Sequence, residues 1–401
     1  MEVLAHERTL LETAGHLVEE YTLPATEDLG LSGMRAAVKA VWNRDACARV
    51  DDLIMRTAPD VVHVHTPFPL MSPAVFRTAH LREIPTVTTL HSYRWSCIVG
   101  TCFRDGAVCE ECVGSRVKLP GVIHRCYHDS VAASAALTFS LALHNAVGTR
   151  DRCVDRWLVL TAFAKKLLIR DGVAPDKIEV KPNSVPDCGV GPGPTGGERT
   201  VLFAGRLLDI KGVGTLLESW GRISRAGVRL VIAGDGAMRP RVESLAATDG
   251  SVKYAGWVSE ADVTRMMGRA ELVVVPSEWY EGGLPLTVLR SLSVGTPVLI
   301  SDLESFADAV TADGVGYTFR AGDVESLATA LNNIIRNPQG TKSKRPLARR
   351  SYERHYSPGA NLHRLERIYA EVIMSSRHDR SEGLPGPRLN GSVLREDAGD
   401  T

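Results

Sequence analysis

Short apolar runs alternate with helical patterns through the first half of the chain. Predicted strands cover residues 60–65, 86–90, 156–160 and 178–181, and helical patterns lie between them, one beginning at Thr161 and ending at Gly172. Short β-branched runs separated by helices are typical of a parallel sheet whose faces the helices cover. The pattern therefore predicts an α/β domain over residues 1–185.

The beginning of this domain departs from the pattern. Residues 7–14 predict a helix that Gly15 ends, and residues 18–23 predict a strand. Since domains of this class normally open on a strand, the first strand of the sheet is predicted to be missing. A later apolar stretch, residues 131–147, is interrupted by polar side chains and is shorter than the ~20 residues that cross a bilayer. It predicts a buried or interfacial helix.

The second half repeats the alternation after a break. Residues 186–198 are a predicted linker, since 186–197 hold five glycines and three prolines. Predicted strands follow at residues 200–204, 228–233, 252–255, 272–276, 297–300 and 316–319, with helices at 213–220, 261–267 and 286–294. These elements predict a second α/β domain over 199–356, a helix over 357–374 and a disordered tail over 375–401.

Composition and short motifs argue against several classes of protein. Lys and Arg together number 47, as do Asp and Glu, so the chain lacks the basic excess of a nucleic-acid-binding protein. No basic-then-apolar signal peptide opens the chain, which predicts a cytoplasmic protein with reduced cysteines. A dinucleotide-binding dehydrogenase is also disfavoured, because Gly234 and Gly236 are not followed by the third glycine of that fingerprint.

The first motif with chemical content follows the predicted strand that ends at Ala204. Gly205 permits a tight turn, and Arg206 and Lys211 then project from one loop just before a helix. Two cations beside a helix N-terminus are typical of a diphosphate site. The alternative is a loop with two solvated charges, and the strand–glycine–helix context favours phosphate.

The second motif follows the predicted strand that ends at Pro276. Glu281 is succeeded by Gly282 and Gly283, which permit close backbone approach, and Pro285 suits the first position of a helix. A carboxylate at the end of a strand suits sugar hydroxyls, because it accepts strong hydrogen bonds. The alternative is an acidic residue that only caps the helix.

The chain resembles glycosyltransferase family 4 in these two motifs, in the linker and in the alternation of strands and helices in both halves. The resemblance runs from about Glu7 to about Val372. It implies the GT-B fold, two facing Rossmann-like domains with parallel sheets, whose last helix packs back on the N-terminal domain. It also implies retaining transfer of a sugar from a nucleoside diphosphate sugar, UDP- or GDP-linked, to an acceptor hydroxyl held by the N-terminal domain. The implied setting is polysaccharide, glycoconjugate or natural-product biosynthesis, with at most peripheral association with the inner membrane face.

The resemblance assigns roles to individual positions. Arg206 and Lys211 match the residues that hold the donor diphosphate, and Glu281 matches the residue that reaches the donor sugar. The loops at Gly234 and Trp257 match loops that border the nucleotide, and the donor site also includes Gly205, Gly282, Gly283 and Leu284. No metal or other cofactor is expected for transfer.

One position departs from the family pattern. The Glu-x7-Glu motif begins at Glu281, but Leu289 occupies the position of its second glutamate. One extra residue in the loop predicts that Arg290 is the structural equivalent of that glutamate. An arginine cannot accept hydrogen bonds from ribose hydroxyls. Because its stem is predicted to be partly buried, an anionic partner is expected: Glu281, Glu278 or a bound phosphate. We expect Arg290 to face the cleft and bind an anion; the alternatives are a shifted helix that points Arg290 away and a damaged, inactive site. For the function of the protein, the alternatives to a transferase are a non-catalytic homologue that binds sugar nucleotide and a nucleotide-sugar epimerase on the same fold.

Two further groups are candidates in the N-terminal half. His65 and His91 both end predicted strands, and His91 resembles a family histidine near the donor sugar; the alternative is a locally bonded loop histidine. Cys97, Cys109, Cys112 and Cys126 have a spacing that fits a structural zinc site, with Cys102 and His124 as spare ligands, and resemble a stretch in some bacterial members of the family. Free thiols packed in a loop are the alternative.

Overall fold

A computed structural model describes residues 2–23, 33–194, 199–224 and 227–381. The strands of the N-terminal domain are β1 (Val62–His65), β2 (Thr86–Leu90), β3 (Phe103–Arg104), β4 (Ala107–Val108), β5 (Arg156–Val159) and β6 (Ile178–Val180). Its helices are α1 (Glu2–Thr13), α2 (Gly33–Val41), α3 (Arg44–Thr57), α4 (Ala74–Leu81), α5 (Leu119–Ile123), α6 (Val131–Ala146), α7 (Thr149–Arg152) and α8 (Ala162–Arg170).

The N-terminal sheet has four parallel strands in the order β1-β2-β5-β6, and β3 and β4 form a separate antiparallel hairpin. β1 lies at an edge of this sheet. The apolar stretch that predicted a buried or interfacial helix forms α6, which buries Leu137 and Leu141 and exposes Phe139.

The C-terminal domain is a second parallel sheet with helices between its strands. Its strands are β7 (Arg199–Ala204), β8 (Val228–Ala233), β9 (Val252–Gly256), β10 (Leu272–Val275), β11 (Val298–Ser301) and β12 (Gly316–Phe319). Its helices are α9 (Val213–Trp220), α10 (Arg239–Thr248), α11 (Glu260–Arg269), α12 (Leu286–Ser293), α13 (Ala307–Thr311), α14 (Val324–Arg336) and α15 (Pro338–Ser351), and the chain closes on α16 (Pro358–Ser381).

The order of the six strands, β12-β11-β10-β7-β8-β9, is that of a Rossmann fold. The chain winds outward in one direction from β7 and in the other from β10, and these two strands are hydrogen-bonded neighbours. Open α/β sheets bind ligands at such a switch point, beyond the carboxyl ends of the strands. The predicted α/β class with two Rossmann-like domains is confirmed.

Two expectations were wrong. Residues 18–23 form no strand; Val18 and Tyr21 instead pack against the hydrophobic core without pairing to a sheet. The disordered tail does not begin at residue 375, because α16 continues to Ser381. Helix propagation costs little once a helix is established, and neither proline nor glycine interrupts residues 375–381. Residues 382–401 lie outside the described part of the chain.

The last helix packs on the first domain. Leu365, Ile368 and Val372 of α16 form one core cluster with Leu11 of α1 and with apolar residues of β2 and β5. Both ends of the described chain are thereby joined to the same sheet. In the described ranges, no helix combines the length and apolar character needed to cross a membrane.

Candidate active site

The loops that follow β7 and β10 meet at the switch point of the C-terminal sheet. Gly212, with φ of +69°, lies so close to the second loop that a Cβ there would be 1.8 Å from the Pro276 carbonyl oxygen. The amide of Glu278 donates to the Ile210 carbonyl oxygen across 2.9 Å. Glycine at 212 therefore serves both the backbone conformation and the close approach of the two loops.

Lys211 and Glu281 join these loops by an ion pair. Lys211 Nζ lies 2.6 Å from Glu281 Oε1, which also accepts from the Ser277 hydroxyl at 2.8 Å. Glu281 is buried, and Lys211 lies over the ring of Trp279. Arg206 is exposed, and no ion pair within the described ranges uses it. The loop after β7 thus carries a lysine in a neutralised pair and an exposed arginine that is free to bind an anion.

Backbone at the carboxyl ends of β7, β8 and β9 packs together. A Cβ on Gly234 would lie 1.9 Å from the Gly205 carbonyl oxygen, and the Gly234 amide donates to the Gly256 carbonyl oxygen at 2.7 Å. Trp257 follows directly and is 75% exposed. Gly205 and Gly234 therefore allow a continuous backbone surface beside an accessible aromatic side chain.

The loop after β10 also contacts the N-terminal domain. A Cβ on Gly282 would lie 2.0 Å from the His91 carbonyl oxygen, and one on Gly283 would lie 2.6 Å from the Leu160 side chain. The Tyr93 hydroxyl donates to the carbonyl oxygen of Glu281. Gly282 and Gly283 thus allow the loop to approach the N-terminal domain closely, next to Glu281. Leu284, by contrast, is buried in the C-terminal core.

Tyr280, which the sequence did not single out, anchors this contact. Its ring lies 4.4 Å from that of Phe163 and 6.4 Å from that of Tyr93, centroid to centroid. Its hydroxyl lies 3.3 Å from Glu110 Oε1. A tyrosine in a glycine-rich loop after a buried strand is the signal that could have identified it, because such a side chain needs a pocket elsewhere.

Arg290 has an anionic partner, but not one that was expected. Its Nη2 lies 2.8 Å from Oε1 of Glu260, the first residue of α11, while Glu281 is held by Lys211 and Glu278 accepts from Thr215. The Arg290 side chain is 17% exposed and that of Glu260 is 53% exposed. The expectation of Glu281 or Glu278 as partner was wrong, because the helix directs the guanidinium toward the start of α11.

His91 belongs to a buried polar cluster at the edge of the N-terminal sheet. His91 Nε2 lies 2.9 Å from His65 Nδ1, and His65 Nε2 lies 3.2 Å from Glu7 Oε1. Glu7 Oε2 in turn lies 2.5 Å from Lys181 Nζ. His63 lies beside them, with its ring nitrogens 2.7 Å from the hydroxyl of Tyr369 in α16 and 2.8 Å from that of Thr89.

Sequence reasoning missed Glu7, His63 and Lys181. The alternation His63-Val-His65 was the available signal, because residues two apart in a strand lie on the same face. Glu7 and Lys181 carried no such signal, since they are separated by 174 positions.

The charges of the cluster are balanced. Burial is the largest single influence and raises the pKa of Glu7, but the Lys181 ammonium and the His65 and His63 imidazoles together outweigh it and hold the pKa well below its ordinary value. Burial lowers the pKa of His91 to about 3 and lowers that of His63 well below its ordinary value. One carboxylate therefore faces one ammonium, and both imidazoles are neutral.

The ligand atoms of Glu7, His63 and His65 lie within 4.8 Å of one another, a grouping that could hold a metal ion. Two observations oppose this. The Lys181 ammonium already pairs with the Glu7 carboxylate, and both nitrogens of His63 already have hydroxyl partners. A cation would have to displace these groups, so the cluster fits a hydrogen-bonded network better.

The predicted zinc ligands lie around the β3–β4 hairpin. The Cys102 thiol lowers the pKa of Cys97 to about 5, and Cys109 donates its amide to the Cys102 carbonyl oxygen at 2.8 Å. Burial raises the pKa of Cys112 to about 11. In the ranges that the structure covers, no three cysteine sulfurs come within 4.8 Å of one another, which is looser than a formed tetrahedral site. Zinc at Cys97, Cys109, Cys112 and Cys126 remains a prediction.

Comparison with known families matches both halves of the chain. Residues 198–337 match the family model described as "Glycosyl transferases group 1", and residues 10–184 match the "Glycosyl transferase 4-like domain". The two models together cover most of the described chain, and each falls on one of the two domains.

The individual relatives share about a quarter of their residues with this chain over the matched segments. A glycogen synthase of Mycobacterium tuberculosis is 25% identical over 201 residues, 49% of this chain and 47% of the relative. A phosphatidyl-myo-inositol mannosyltransferase of Mycobacterium leprae is 25% identical over 282 residues, 69% of this chain and 64% of the relative. The chain thus spans about half the length of the first of these relatives.

Solved structures share the fold. The crystal structure of Anabaena HepE in complex with UDP aligns with a TM-score of 0.63 and 16% identity, covering 91% of this chain and 89% of that one. The neighbours are GT-B proteins, and the expected GT-B fold is confirmed.

Proposed function

We propose that this chain, which belongs to the group 1 glycosyltransferases of glycosyltransferase family 4, moves a sugar from a nucleoside diphosphate sugar to an acceptor hydroxyl. The observation that carries the proposal is the ion pair of Lys211 and Glu281 at the switch point of the C-terminal sheet, with Lys211 on the loop after β7 that also carries Arg206. A diphosphate would find two cations there, and a sugar would find a buried carboxylate.

The residues suggest how the reaction is assisted. The bond between the sugar carbon and the diphosphate oxygen breaks, and a bond from the same carbon to the acceptor oxygen forms. The acceptor proton leaves with the nucleoside diphosphate. Arg206 and Lys211 stabilise the negative charge that grows on the leaving diphosphate, which is the usual largest contribution to catalysis.

Glu281 is suited to orient the sugar. Its carboxylate accepts from Lys211 and Ser277 and is held in place by both. When a diphosphate draws Lys211 away, carboxylate lone pairs become available to sugar hydroxyls. We propose transfer with retention and without a metal, as the resemblance to glycosyltransferase family 4 implies.

The donor is proposed as a UDP- or GDP-sugar. HepE, which shares the fold, was crystallised with UDP. The acceptor side is the N-terminal domain, which reaches the donor loop through His91, Tyr93 and Leu160. Polysaccharide, glycoconjugate and natural-product hydroxyls are the proposed acceptor class.

A second candidate is a homologue that binds the sugar nucleotide without turning it over. The specific observation in its favour is Arg290, which has a guanidinium where the family pattern has a ribose-binding carboxylate. Catalysis and simple binding differ in one measurement, the release of nucleoside diphosphate.

The test is a thermal-shift screen of UDP- and GDP-sugars, followed by an assay of nucleoside diphosphate release from the donor that stabilises the protein most. Stabilisation with acceptor-dependent release supports transfer. Stabilisation without release supports the binding homologue, and stabilisation by none of the sugar nucleotides contradicts both.

A further inference from the structure

A chain of three side chains leads from α1 to the contact between the domains. Glu7 contacts His65, and His65 contacts His91, whose carbonyl oxygen faces Gly282. We propose that Glu7, acting through His65, fixes the tautomer of His91 so that His91 offers a bare Nδ1 as a hydrogen-bond acceptor for a ligand hydroxyl. This inference rests on the proposed function and adds positioning residues to its site.

The contacts run without a gap from Glu7 through His65 to His91. Glu7 Oε1 lies 3.2 Å from His65 Nε2, and His65 Nδ1 lies 2.9 Å from His91 Nε2. The two imidazoles are nearly parallel, with an interplanar angle of 18° and centroids 5.2 Å apart. Both ring nitrogens of His65 and Nε2 of His91 therefore each have one partner.

The direction of the hydrogen bonds follows from the carboxylate. An ionised carboxylate can only accept, so His65 Nε2 must carry the proton and donate to Glu7. A neutral His65 then has a lone pair on Nδ1, which accepts from Nε2–H of His91. His91 is left with an unprotonated Nδ1.

The buried charges of the cluster balance within one ion pair. Lys181 Nζ lies 2.5 Å from Glu7 Oε2, and the two side chains are only 2% and 7% exposed. The carboxylate and the ammonium therefore neutralise each other within the buried cluster. The same pair fixes which carboxylate oxygen faces His65.

His91 Nδ1 is the atom left for a ligand. No hydrogen bond inside the described ranges uses it, although His91 Nε2, both His63 nitrogens and the Glu7 carboxylate all have partners. The residue itself lies where the donor loop meets the N-terminal domain, beside Gly282. An acceptor nitrogen there suits a hydroxyl of a sugar or of an acceptor molecule.

The test is long-range ¹H–¹⁵N NMR of the imidazoles in the full, ligand-free chain near pH 7.5, with the His91 signal assigned by its loss in His91→Gln. The expected result is a neutral His91 protonated at Nε2. A His91 protonated at Nδ1 in the unmodified protein overturns the proposal, and this measurement needs no variant of Glu7.

Glu7→Gln tests the origin of the effect. Lys181 can only donate, so it holds the oxygen of the new amide, and the amide NH₂ then points at His65 Nε2. The hydrogen bonds between residue 7, His65 and His91 then run in the opposite direction, and His91 is expected to become protonated at Nδ1. An unchanged His91 signal in a folded Glu7→Gln protein contradicts the role of Glu7.

Tyr369→Phe is the matched control. It removes a hydroxyl from the same buried cluster, 2.7 Å from His63, but leaves Glu7, His65 and His91 intact. The His91 tautomer should not change, and a change would mean that any disturbance of the cluster moves it, which overturns the proposal. Because no nucleotide is present, failure here is distinct from failure of the proposed donor binding.

Discussion

Lys211 and Glu281 form an ion pair whose atoms are 2.6 Å apart, although the residues are 70 positions apart in the chain. The pair holds the loop after β7 against the loop after β10 at the point where the winding of the sheet reverses. A diphosphate entering this point would compete with Glu281 for the lysine and release the carboxylate. In the proposed function, one ammonium group would thereby couple binding of the phosphates to the availability of the Glu281 carboxylate for the sugar.

Lys211→Ala is expected to weaken binding of the nucleoside diphosphate about ten- to a hundredfold, because a charge-assisted hydrogen bond contributes about 1.5–3 kcal/mol. Isothermal titration calorimetry measures the loss. Lys39→Ala is the control, since it breaks another lysine–carboxylate pair, Lys39–Asp45 at 2.9 Å, in the other domain. Equal affinity in Lys211→Ala and the unmodified chain contradicts the diphosphate assignment.

Arg206→Ala separates binding from stability. Arg206 is exposed, and no ion pair within the described ranges uses it, so its removal should leave the melting temperature unchanged while it weakens nucleoside diphosphate binding. A loss of stability without a loss of affinity would show that the residue is structural.

Much of the fold was readable from local pattern. The predicted strand at 228–233 and the predicted helix at 213–220 coincide with β8 and α9, because buried β-branched runs and amphipathic turns have distinct periods. The hairpin of β3 and β4 was not predicted, since two-residue strands carry no period. Residues 18–23 were predicted to form a strand, but their apolar side chains Val18 and Tyr21 pack against the core without forming the hydrogen bonds of a sheet.

The candidate site was predicted only in part. Arg206, Lys211 and Glu281 were identifiable because glycines and strand ends flank them in the sequence. Their mutual contact was not identifiable, and neither was the partner of Arg290, because such pairs form across the fold. Glu7 illustrates the limit: it lies in an ordinary helical pattern and becomes informative only beside His65.

The pair of Arg290 and Glu260 is testable by charge reversal. Arg290→Glu places two carboxylates together and should lower the free energy of unfolding by about 1 kcal/mol, a modest value because Glu260 is half exposed. Combining it with Glu260→Arg should restore most of the loss. Urea unfolding of the single and double variants gives the coupling, and purely additive effects would mean that the two residues do not interact.

Acid sensitivity is expected from His91. Its pKa is about 6.5 unfolded and about 3 folded, so the unfolded chain binds one more proton between these values. Stability is therefore fully present above pH 6.5 and is lost as pH falls toward 3. His91→Gln should reduce the pH dependence of the unfolding free energy by about 1.4 kcal/mol per pH unit between about pH 5.5 and 4.

Urea unfolding at several pH values measures that slope. Above pH 7 the histidine is neutral in both states, so the two proteins should there show the same pH dependence, which serves as the internal control. Parallel curves for the variant and the unmodified protein at acidic pH contradict the buried, neutral His91.

Zinc binding is testable by elemental analysis. If the cysteines hold a structural ion, the purified protein contains about one zinc per chain, and Cys109→Ser releases it and destabilises the N-terminal domain. Cys188→Ser is the control, because Cys188 is exposed in the linker and lies outside the group. Protein without zinc, equally stable with and without chelator, would show that the thiols are merely packed.

The contact between the domains can be tested by a graded series of glycine-to-alanine changes. At Gly282 the new Cβ would lie 2.0 Å from the backbone oxygen of His91, which cannot rotate away. At Gly283 the obstacle at 2.6 Å is the side chain of Leu160, which can shift, and at Gly359 nothing lies within 4 Å. None of the three has a positive φ, so the differences are steric.

The expected order of destabilisation is Gly282→Ala, then Gly283→Ala, then Gly359→Ala, with about 1–3 kcal/mol for the first, the usual cost of overpacking. Gly282→Ala should also reduce turnover more than nucleoside diphosphate affinity, because it moves Glu281 away from His91 while the loop of Arg206 and Lys211 stays in the C-terminal domain. Melting temperatures and steady-state kinetics measure the two effects. If Gly282→Ala behaved like Gly359→Ala, the close approach of the donor loop to His91 would not exist in solution, and the acceptor domain would need another way to reach the sugar.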